Sequence, residues 1–263
     1  MLKEIIYQYF DDKRLAKEAD NRHSDKINFA PSYFTTCKRQ IYYKKKNIPQ
    51  SNPIETHSYI KFAMGDSVHE KLQDIIKELN LMLECEDFKE IEWNDLNWIY
   101  RIDGKIKVNN EPYIIEIKSV YSSGYNSIEK EAKPEHEIQL LLYMIFEKID
   151  RGIILYIGRD NGFIVEYDYL FDSLKEKYSA LFIMKIQELK ELKEKLENNI
   201  LPSRDFQIAL KNNKGIISEA FQKDGQKYKT GWQCSYCNWM YICWKEVFDE
   251  IKNNLFYIEG KFI

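Results

Sequence analysis

Three ionisable residues lie on two neighbouring apolar runs within residues 98–120. Asp103 belongs to the first run, and Glu116 and Lys118 belong to the second. The turn formers of residues 108–112 separate the runs, which predicts the two strands of a hairpin. Because successive side chains of a strand point to opposite faces, Glu116 and Lys118 share a face, and strand pairing brings Asp103 to the same edge. Two carboxylates and an ammonium on one patch suit a hard divalent cation and an attacking water.

A solvated strand face with a weak ion pair would show the same pattern, so the rest of the chain must decide between structure and catalysis. The chain has 263 residues, enough for a full core and most simply for one α/β domain. Charged residues make up 31% of the chain and the formal net charge is -3. That balance weakly disfavours non-specific attraction to nucleic acid, but it leaves room for a local basic groove.

The sequence shows no sign of a membrane or secretory protein. No apolar run approaches the roughly 20 residues of a membrane span. Acidic residues interrupt the N-terminal segment 1–13, which lacks the apolar core of a signal peptide. We therefore expect a cytoplasmic protein without a membrane partner. In that compartment the five cysteines are expected to be free, ligating or catalytic rather than paired in disulfides.

Hydrophobic periodicity and turn signals predict the elements that position these residues. Helices are predicted over 2–20, 59–79 and 172–199 and from Pro134 onward, strands within 83–92 and over 153–158, loops over 47–57 and 203–231, and a short helix at the C-terminus. The strand of Glu116, the helix that Pro134 opens and the strand 153–158 form a crossover unit, so the two strands are predicted to be parallel. An Asn-Gly pair at 161–162 marks a further hairpin that ends near Asp168.

Two helices carry polar residues of interest. Gln139 and Tyr143 are four residues apart, so they share a face of the helix that Pro134 opens. His69 lies in the segment Gly-Asp-Ser-Val-His-Glu of the 59–79 helix. A single histidine on a helix is usually structural, so the position alone does not make it a ligand.

Residues 32–46 combine cations with aromatic side chains. This composition suits a single nucleic-acid strand, because phosphates take the charge and bases stack on rings. A solvated helix face with buried tyrosines explains the same composition. Ser32 is expected to cap a short helix that carries Cys37.

Cys234, Cys237 and Cys243 have the spacing C-x2-C-x5-C, one ligand short of a closed tetrahedral site. Cys37 is the best donor of the fourth thiolate because it lies beside its own aromatic and basic cluster, whereas Cys85 is expected to be buried in a strand-like run. Four thiolates hold either zinc or an iron–sulfur cluster. Three bunched cysteines with one distant partner favour a cluster over zinc, and unligated thiols are a third alternative.

Taken in chain order, these motifs resemble the PD-(D/E)XK nucleases of the RecB branch. The matching residues are His69, Asp103, Glu116-Ile117-Lys118, and Gln139 with Tyr143 as Q-x-x-x-Y. The four cysteines are similar to the iron–sulfur clasp of the CRISPR-associated adaptation exonucleases and of AddB-type nuclease domains. One position departs from the family pattern, because Tyr100 stands where the family often has glycine, three residues before the motif aspartate.

The resemblance implies an α/β fold with a mixed central sheet, helices on its faces and a restriction-endonuclease-like core, with the metal site at the sheet edge. It implies a single nuclease domain over 1–263, a catalytic core over 59–168, and a clasp formed by 32–46 and 231–245. The clasp would hold a [4Fe–4S] cluster, with Zn²⁺ as the alternative.

The resemblance also implies a role for each site residue. The ligands of Mg²⁺ or Mn²⁺ would be the side chains of His69, Asp103 and Glu116 and the carbonyl of Ile117. Lys118 would orient and help to deprotonate the attacking water, and it would stabilise the charge that builds on phosphorus. Gln139 and Tyr143 would position the lysine and the scissile strand.

We therefore expect a metal-dependent DNA nuclease, an exonuclease on single strands or DNA ends. The sequence has no G-x-x-x-x-G-K-[ST] motif, so unwinding of a duplex would need a helicase partner. The alternative is a binding or end-processing subunit of a CRISPR adaptation or recombination complex, with an integrase as partner and weak or no cleavage. A cysteine- and zinc-stabilised structural protein is the third possibility.

Overall fold

The computed structural model of the protein describes residues 2–20, 26–206, 220–223, 226–229, 234 and 236–245. The chain divides into two compact units. The first unit comprises Met1–Thr35 and Thr56–Glu191, and the second comprises Thr36–Glu55 and Leu192–Ile263. The organisation as one nuclease domain over 1–263, with a core over 59–168 and a clasp at 32–46 and 231–245, stays a prediction.

The described helices and strands follow the predicted order in most places. The α-helices are α1 (Leu2–Asp20), α2 (Lys38–Lys45), α3 (Thr56–Glu78), α4 (Tyr125–Ile128), α5 (Pro134–Glu147), α6 (Phe171–Glu197) and α7 (Met240–Cys243). The strands are β1 (Asn28–Phe29), β2 (Met82–Glu84), β3 (Lys89–Trp93), β4 (Leu96–Tyr100), β5 (Gly104–Val108), β6 (Glu111–Val120), β7 (Arg151–Gly158), β8 (Ile164–Leu170), β9 (Ala220–Lys223) and β10 (Gln226–Lys229). The four long predicted helices are confirmed as α1, α3, α5 and α6.

Five strands of the first unit form a mixed sheet in the order β2-β5-β6-β7-β8. β6 and β7 are parallel, and the other neighbouring strands are antiparallel. α5 lies between β6 and β7 in the chain, so the predicted crossover unit is confirmed. The predicted α/β class with a mixed central sheet and flanking helices is confirmed, whereas the iron–sulfur clasp stays a prediction.

Helices α3 and α5 pack on the strands that carry the site. Leu72 and Ile76 of α3 join an apolar cluster that includes Ile117 of β6. α5 comes close to β7 at Gly152, where an added Cβ atom would lie 2.9 Å from the side chain of Leu140. Glycine at this position therefore permits the close approach of helix and strand.

The hairpin predicted around residues 108–112 is present. β5 pairs antiparallel with β6, beginning with Gly104 opposite Ile115. Its loop consists of Asn109 and Asn110, which have φ angles of 49° and 73°. Asparagine tolerates the left-handed region better than most residues, and two such residues suit a tight primed turn.

The first apolar run is not one strand, which corrects the expectation that Asp103 lies on a hairpin strand. Leu96–Tyr100 forms β4, which belongs to a separate three-stranded sheet of order β1-β4-β3. Trp98 anchors β4 in that sheet, because its fully buried side chain packs against Phe29 of β1. The chain leaves this sheet after Tyr100, and Asp103 lies in the connection that precedes β5.

Three other sequence expectations need correction. Residues 83–92 contribute to two strands of different sheets, β2 and β3, instead of one. Ser32 lies in a 3-10 helix (Pro31–Thr35), and Cys37 precedes α2 instead of lying inside a helix that Ser32 caps. The segment 203–231 contains the antiparallel pair β9–β10 in its described part, where loops were expected.

Within the second unit, hydrogen bonds join residues 47–55 to the cysteine-rich segment. The backbone N–H groups of Ser51 and Asn52 donate to the carbonyl of Asn238 at 2.9 and 2.8 Å. The indole Nε1–H of Trp239 donates to the carbonyl of Ile48 at 2.8 Å. The short helix predicted at the C-terminus lies outside the described residues. In the described part of the chain, no helix combines the length and apolar character that crossing a membrane requires.

Candidate active site and thiol cluster

An open edge of β6 brings the predicted catalytic residues together. The pairing of β6 with β5 ends at Ile115, although β6 continues to Val120. Beyond that point the backbone N–H of Ile117 donates to Oδ2 of Asp103 at 2.6 Å. A carboxylate thus takes the place of a strand partner. The N–H and C=O of one strand residue point to the same side, so the carbonyl of Ile117 also faces this edge.

We call Asp103, Glu116, Lys118 and His69 the acidic site. The carboxylate of Glu116 is 1% exposed, and the ammonium of Lys118 forms an ion pair with its Oε1 atom. Apart from this contact with Lys118, the carboxylate oxygens of Glu116 have no hydrogen-bond partner within the described residues. A buried carboxylate oxygen without a hydrogen bond is costly, so Oε2 is the oxygen of Glu116 that remains available to a further ligand.

The charges of the acidic site shift one another's pKa values. Burial raises the pKa of Glu116 to about 7, and the neighbouring Asp103 adds to the rise, while Lys118 opposes it. Burial likewise raises the pKa of Asp103 to about 6, against the effect of Lys118. The pKa of Lys118 is raised, because the two carboxylates outweigh the burial that opposes its charge. The carboxyls therefore titrate near neutral pH while the lysine stays charged.

His69 reaches the acidic site from α3. Its Nδ1 atom lies 3.8 Å from Oδ2 of Asp103. α3 comes close to β6 one turn earlier, at Gly65, where an added Cβ atom would lie 3.1 Å from Oγ of Ser119. Burial, with Lys118 as the next cause, lowers the pKa of His69. The imidazole is therefore neutral near pH 7, which is the form that ligates metals.

Gln73 is a residue of the site that the sequence analysis did not single out. It lies one turn after His69 on α3, and only 4% of it is exposed. Its Nε2 atom donates to the carbonyl of Asp103 at 2.8 Å and to Oε1 of Glu86 at 3.0 Å. Gln73 therefore ties α3 to the connection that carries Asp103. The spacing of four residues from His69 was the available signal.

Gln139 and Tyr143 share a face of α5, as predicted from their spacing. Nε2 of Gln139 donates to the hydroxyl of Tyr143 at 2.9 Å. Burial raises the pKa of Tyr143 well above its ordinary value, with the charge of Glu116 as the next cause. α5 packs against β6, the strand that carries Glu116 and Lys118. The phenol stays protonated and can donate a hydrogen bond.

The donors of the acidic site fit a divalent metal ion in type but not in their present arrangement. A neutral imidazole, two carboxylates and a backbone carbonyl are common ligands of catalytic metals. Among the described residues, however, no three His, Cys, Asp or Glu side chains are arranged so that they could hold one ion. The contact between Lys118 and Glu116 gives a physical reason, because the ammonium occupies the carboxylate that a metal would use. A metal would have to displace it.

The four predicted cluster ligands, which we call the thiol cluster, line one cavity of the second unit. They are Cys37, Cys234, Cys237 and Cys243. The cavity has a volume of about 20 Å³, room for one water molecule, so an iron–sulfur cluster would require the thiols to move apart. Cys85 belongs to the first unit. It follows β2 and is partly exposed, which corrects the expectation that it is buried in a strand.

Burial raises the pKa values of three of these thiols. The pKa of Cys234 rises to about 11, with the thiol of Cys37 as the next cause. Burial also raises the pKa values of Cys237 and Cys37. These thiols are therefore protonated at neutral pH, and ligation of a metal would release protons.

Two arginines place positive charge beside the thiol cluster. Nη1 of Arg39 lies 3.6 Å from Sγ of Cys243, and Nε of Arg204 donates to the carbonyl of Cys243 at 3.1 Å. The guanidinium of Arg204 stacks 4.0 Å above the ring of Trp244. Cations at this position would stabilise the thiolates that a metal centre requires.

Comparisons with known proteins bear on the fold. No protein-family model matches the sequence, and no curated protein matches it. The chain is similar to the crystal structure of SSO0001, with a TM-score of 0.52 and 19% identity, over 92% of this chain and 96% of that one. At this identity the likeness concerns the fold alone.

Two further solved structures match in part. The complex of LHK-Exo with dAMP gives a TM-score of 0.47 at 15% identity, over 65% of this chain and 91% of that one. The alkaline exonuclease LHK-Exo from Laribacter hongkongensis gives 0.41 at 13% identity, over 65% and 94%. Both TM-scores lie below 0.5, so functional conclusions rest on the acidic site and not on these two structures.

Proposed function

We propose that the protein is a metal-dependent DNA nuclease that hydrolyses phosphodiester bonds, in keeping with its resemblance to the RecB branch of PD-(D/E)XK nucleases. One observation carries the proposal. Within the described residues, the buried carboxylate of Glu116 has no hydrogen-bond partner other than the ammonium of Lys118, and both groups lie at the open edge of β6. A structural ion pair has no need of an open strand edge, whereas a site for metal and phosphate does.

The ligand set follows from the donors at that edge. Mg²⁺ or Mn²⁺ would be held by His69, Asp103 and Glu116 and by the carbonyl of Ile117. When bound, the ion supplies a polarised phosphoryl oxygen and a more acidic water. Gln73 keeps Asp103 in place through its backbone carbonyl.

The remaining residues act on the substrate. Lys118, freed from Glu116, orients the attacking water and stabilises the charge that develops on the phosphoryl oxygens. Its raised pKa keeps it charged, so it acts as an electrostatic catalyst before it acts as a base. The hydroxyl of Tyr143, fixed by the hydrogen bond from Gln139, positions the lysine and the scissile strand.

The substrate that we propose is single-stranded DNA or DNA with free ends, cleaved as by an exonuclease. The chain has no motif for ATP-driven unwinding, so duplex would be degraded only from frayed ends or with a helicase partner. A CRISPR integrase as partner is a further part of the proposal, supported only by the resemblance of the motifs.

A digestion assay tests the proposal. End-labelled single-stranded DNA, duplex DNA and RNA are incubated with Mg²⁺, Mn²⁺ or EDTA, and products are resolved by length. We expect metal-dependent loss of single-stranded DNA from its ends. Lys118→Met keeps most of the side-chain volume and should lower the rate roughly 10³-fold or more, because the transition-state charge loses its cation.

Lys107→Met is the matched control, because Lys107 is an exposed lysine of the neighbouring strand β5. It should cleave like the parent protein. Absence of cleavage by the parent with either metal, together with tight DNA binding, would replace the nuclease by a binding subunit. Equal cleavage by Lys118→Met would remove the proposed mechanism.

For the thiol cluster we propose a structural [4Fe–4S] centre, supported by four thiols at one cavity and by the neighbouring arginines. Protein purified without oxygen should be brown and contain iron and acid-labile sulfide in equal amounts. A colourless protein with one zinc per chain would instead establish the zinc alternative.

A further inference from the structure

A third polar residue continues the face of α5 that carries Gln139 and Tyr143. His136 lies three residues before Gln139 and seven before Tyr143, so the three side chains lie on one helical face. Lys118 of β6 lies opposite Tyr156 of the parallel strand β7, and the hydroxyl of Tyr156 lies 2.7 Å from Nδ1 of His136. His136 therefore contacts the residue that neighbours Lys118 across the sheet.

Hydrogen bonds fix the proton on the His136 ring. The backbone N–H of Lys133 donates to the hydroxyl of Tyr156 at 3.0 Å, and that hydroxyl lies 2.7 Å from Nδ1 of His136. Tyr156 is fully buried, and Nδ1 is the one acceptor for its O–H within the described residues. A buried O–H without an acceptor would be costly. The hydroxyl therefore donates to Nδ1, and the ring proton resides on Nε2.

The ring is also neutral. Burial, followed by the charges of Lys118 and Lys133, lowers the pKa of His136 to about 3. The result is a fixed, uncharged Nε2–H donor at any pH where the protein works. The hydrogen bond to Tyr156 uses only Nδ1 of the ring. The Nε2–H group is therefore available to donate to another partner.

The surroundings of Nε2 suit an anion. In the part of the chain that the structure describes, Nε2 has no hydrogen-bond partner, and it is not enclosed as a buried unsatisfied atom. The ammonium groups of Lys118 and Lys133 both act on the ring. Lys118 is itself paired with Glu116, and the carboxylates of Asp103 and Glu135 also act on it. A divalent cation at the acidic site would offset the charges of Glu116 and Asp103, and the two ammonium groups would then favour a phosphate beside the ring.

We propose that His136 is a substrate-contacting residue whose Nε2–H donates to a non-bridging oxygen of the phosphate next to the scissile one. This proposal rests on the nuclease function proposed above. A helix rises 1.5 Å per residue, so His136 and Tyr143 are separated by about 10 Å along the axis. One phosphate cannot contact both residues, and a strand that follows the helical face places the neighbouring phosphate at His136.

The first test removes the donor and then restores it. His136→Ala should lower kcat/KM on a single-stranded oligonucleotide roughly 10- to 100-fold, the usual worth of a hydrogen bond to a charged group. His136→Gln keeps an N–H near the position of Nε2 and should recover most of that loss. His57→Ala is the matched control, because His57 is an exposed histidine of the same unit. Equal rates for His136→Ala and the parent protein would overturn the proposal.

The second test locates the contact on the substrate. Oligonucleotides that carry one methylphosphonate, placed in turn at each of the first phosphates from either end, lack one negative oxygen at a known site. The parent protein should slow at one position beside the cleaved bond, and His136→Ala should be insensitive at that same position. If each methylphosphonate slows His136→Ala by the same factor as the parent protein, at every position, the role of His136 is merely structural and the proposal is contradicted.

Two measurements separate a contact from a folding defect or from proton transfer. The thermal unfolding of His136→Gln, and its stabilisation by Mn²⁺, should match those of the parent protein. Its profile of kcat/KM between pH 5.5 and 8 should also keep the parent's shape, because His136 does not titrate there. Loss of one limb of the profile would assign His136 to acid–base chemistry and refute the donor role.

A DNA-binding measurement distinguishes failure of the proposed His136 contact from failure of the proposed nuclease function. Fluorescence anisotropy with a labelled oligonucleotide and Ca²⁺ measures DNA affinity without relying on cleavage. If the parent protein does not cleave, the nuclease function fails. His136→Ala must still weaken binding roughly 3- to 10-fold for the contact to stand, and unchanged affinity would sink it.

Discussion

The acidic site of the first unit and the thiol cluster of the second both gather titratable groups, but they obtain their counter-charge differently. In the acidic site, the cation is Lys118, which forms an ion pair with Glu116. At the thiol cluster, Arg39 and Arg204 bind the Cys243 carbonyl and lie beside the thiols. Lys118 is proposed to act on the substrate, whereas the two arginines have a structural role beside the thiols.

Because of this difference, mutations in the two regions are expected to change different properties of the protein. The lysine must leave its carboxylate for a metal to bind, so the acidic site is built to rearrange. The arginines are held by backbone carbonyls and by stacking on Trp244, so the cations beside the thiol cluster have fixed positions. We therefore expect mutations in the first region to change rates and those in the second to change stability.

The largest expected effect is on catalysis. Glu116→Gln removes a ligand charge and the partner of Lys118, and cleavage should fall roughly 10³-fold or more. The same variant should keep the iron content and visible absorbance of the parent protein. The measurements are single-turnover digestion and metal analysis on one preparation. Loss of both properties would mean that the two regions are not separable as described.

The next effect is on stability. Cys237→Ser should lower the free energy of unfolding by about 3–5 kcal/mol, by analogy with a cross-link that closes a long loop. Cys85→Ser is the matched control, because Cys85 is a partly exposed thiol outside the cluster. Thermal unfolding in the absence of oxygen measures both variants, and a fall of roughly 10 °C is expected for Cys237→Ser alone. Equal melting temperatures would argue against a ligated cluster.

A pH titration sharpens the comparison. Burial raises the pKa of Glu116 to about 7 and that of Asp103 to about 6, so both carboxyls hold protons at pH 5.5. A cation binds the deprotonated pair, and its affinity should therefore rise between pH 5.5 and 8 by roughly tenfold per unit for each proton released. Calorimetry with Mn²⁺ in buffers of different ionisation enthalpy counts these protons. A flat profile would show that the raised pKa values are wrong.

The same shifts fix the sign of the stability effect. Without a divalent cation, the two carboxyls bind protons more tightly in the folded protein than in the unfolded chain. This contributes to the free energy of unfolding below about pH 4, and the contribution is lost as the pH rises through 6 and 7. Added Mn²⁺ should therefore stabilise the protein more at pH 8 than at pH 6.

The smallest predicted effect concerns the support of Asp103. Gln73→Leu removes the donor to the Asp103 carbonyl and should weaken Mn²⁺ binding and slow cleavage roughly tenfold. Gln187→Leu, at an exposed glutamine of α6, is the matched control and should leave both unchanged. Unchanged metal affinity in Gln73→Leu would mean that Asp103 is held by its bond to Ile117 alone.

Much of the fold was predictable because local signals agreed with the tertiary structure. The asparagines at 109 and 110 marked a turn, Pro134 opened a helix, and the apolar strand 153–158 implied a parallel partner. The spacing of Gln139 and Tyr143 predicted a shared face, and they are hydrogen-bonded. Periodicity is informative where an element buries one face against a single layer.

The rest depended on contacts between residues far apart in sequence. The apolar run that includes Trp98 looks continuous with Asp103, but its parallel pairing with Phe29 of β1 assigns it to another sheet. Gln73 and His136 could not be assigned roles, because their partners lie on other elements. No local pattern encodes such pairings.

Tyr100 stands where the nucleases that the sequence resembles often have glycine, and the structure shows how the larger side chain is accommodated. Its hydroxyl donates to Oε1 of Glu147 at 2.9 Å, and its ring centroid lies 6.0 Å from that of Tyr143. The bulky side chain thus lies against α5 and supports a residue of the proposed site. The departure adds packing under Tyr143 and removes none of the proposed ligands.

The second unit is discontinuous in sequence: Thr36–Glu55 lies between the two segments of the first unit, and Leu192–Ile263 follows them. Cys37 is therefore translated early and Cys243 late, with the whole acidic site between them. On a ribosome, the four thiols can meet only after the catalytic segment has emerged. A prematurely terminated chain would therefore carry the acidic site without a complete set of thiols.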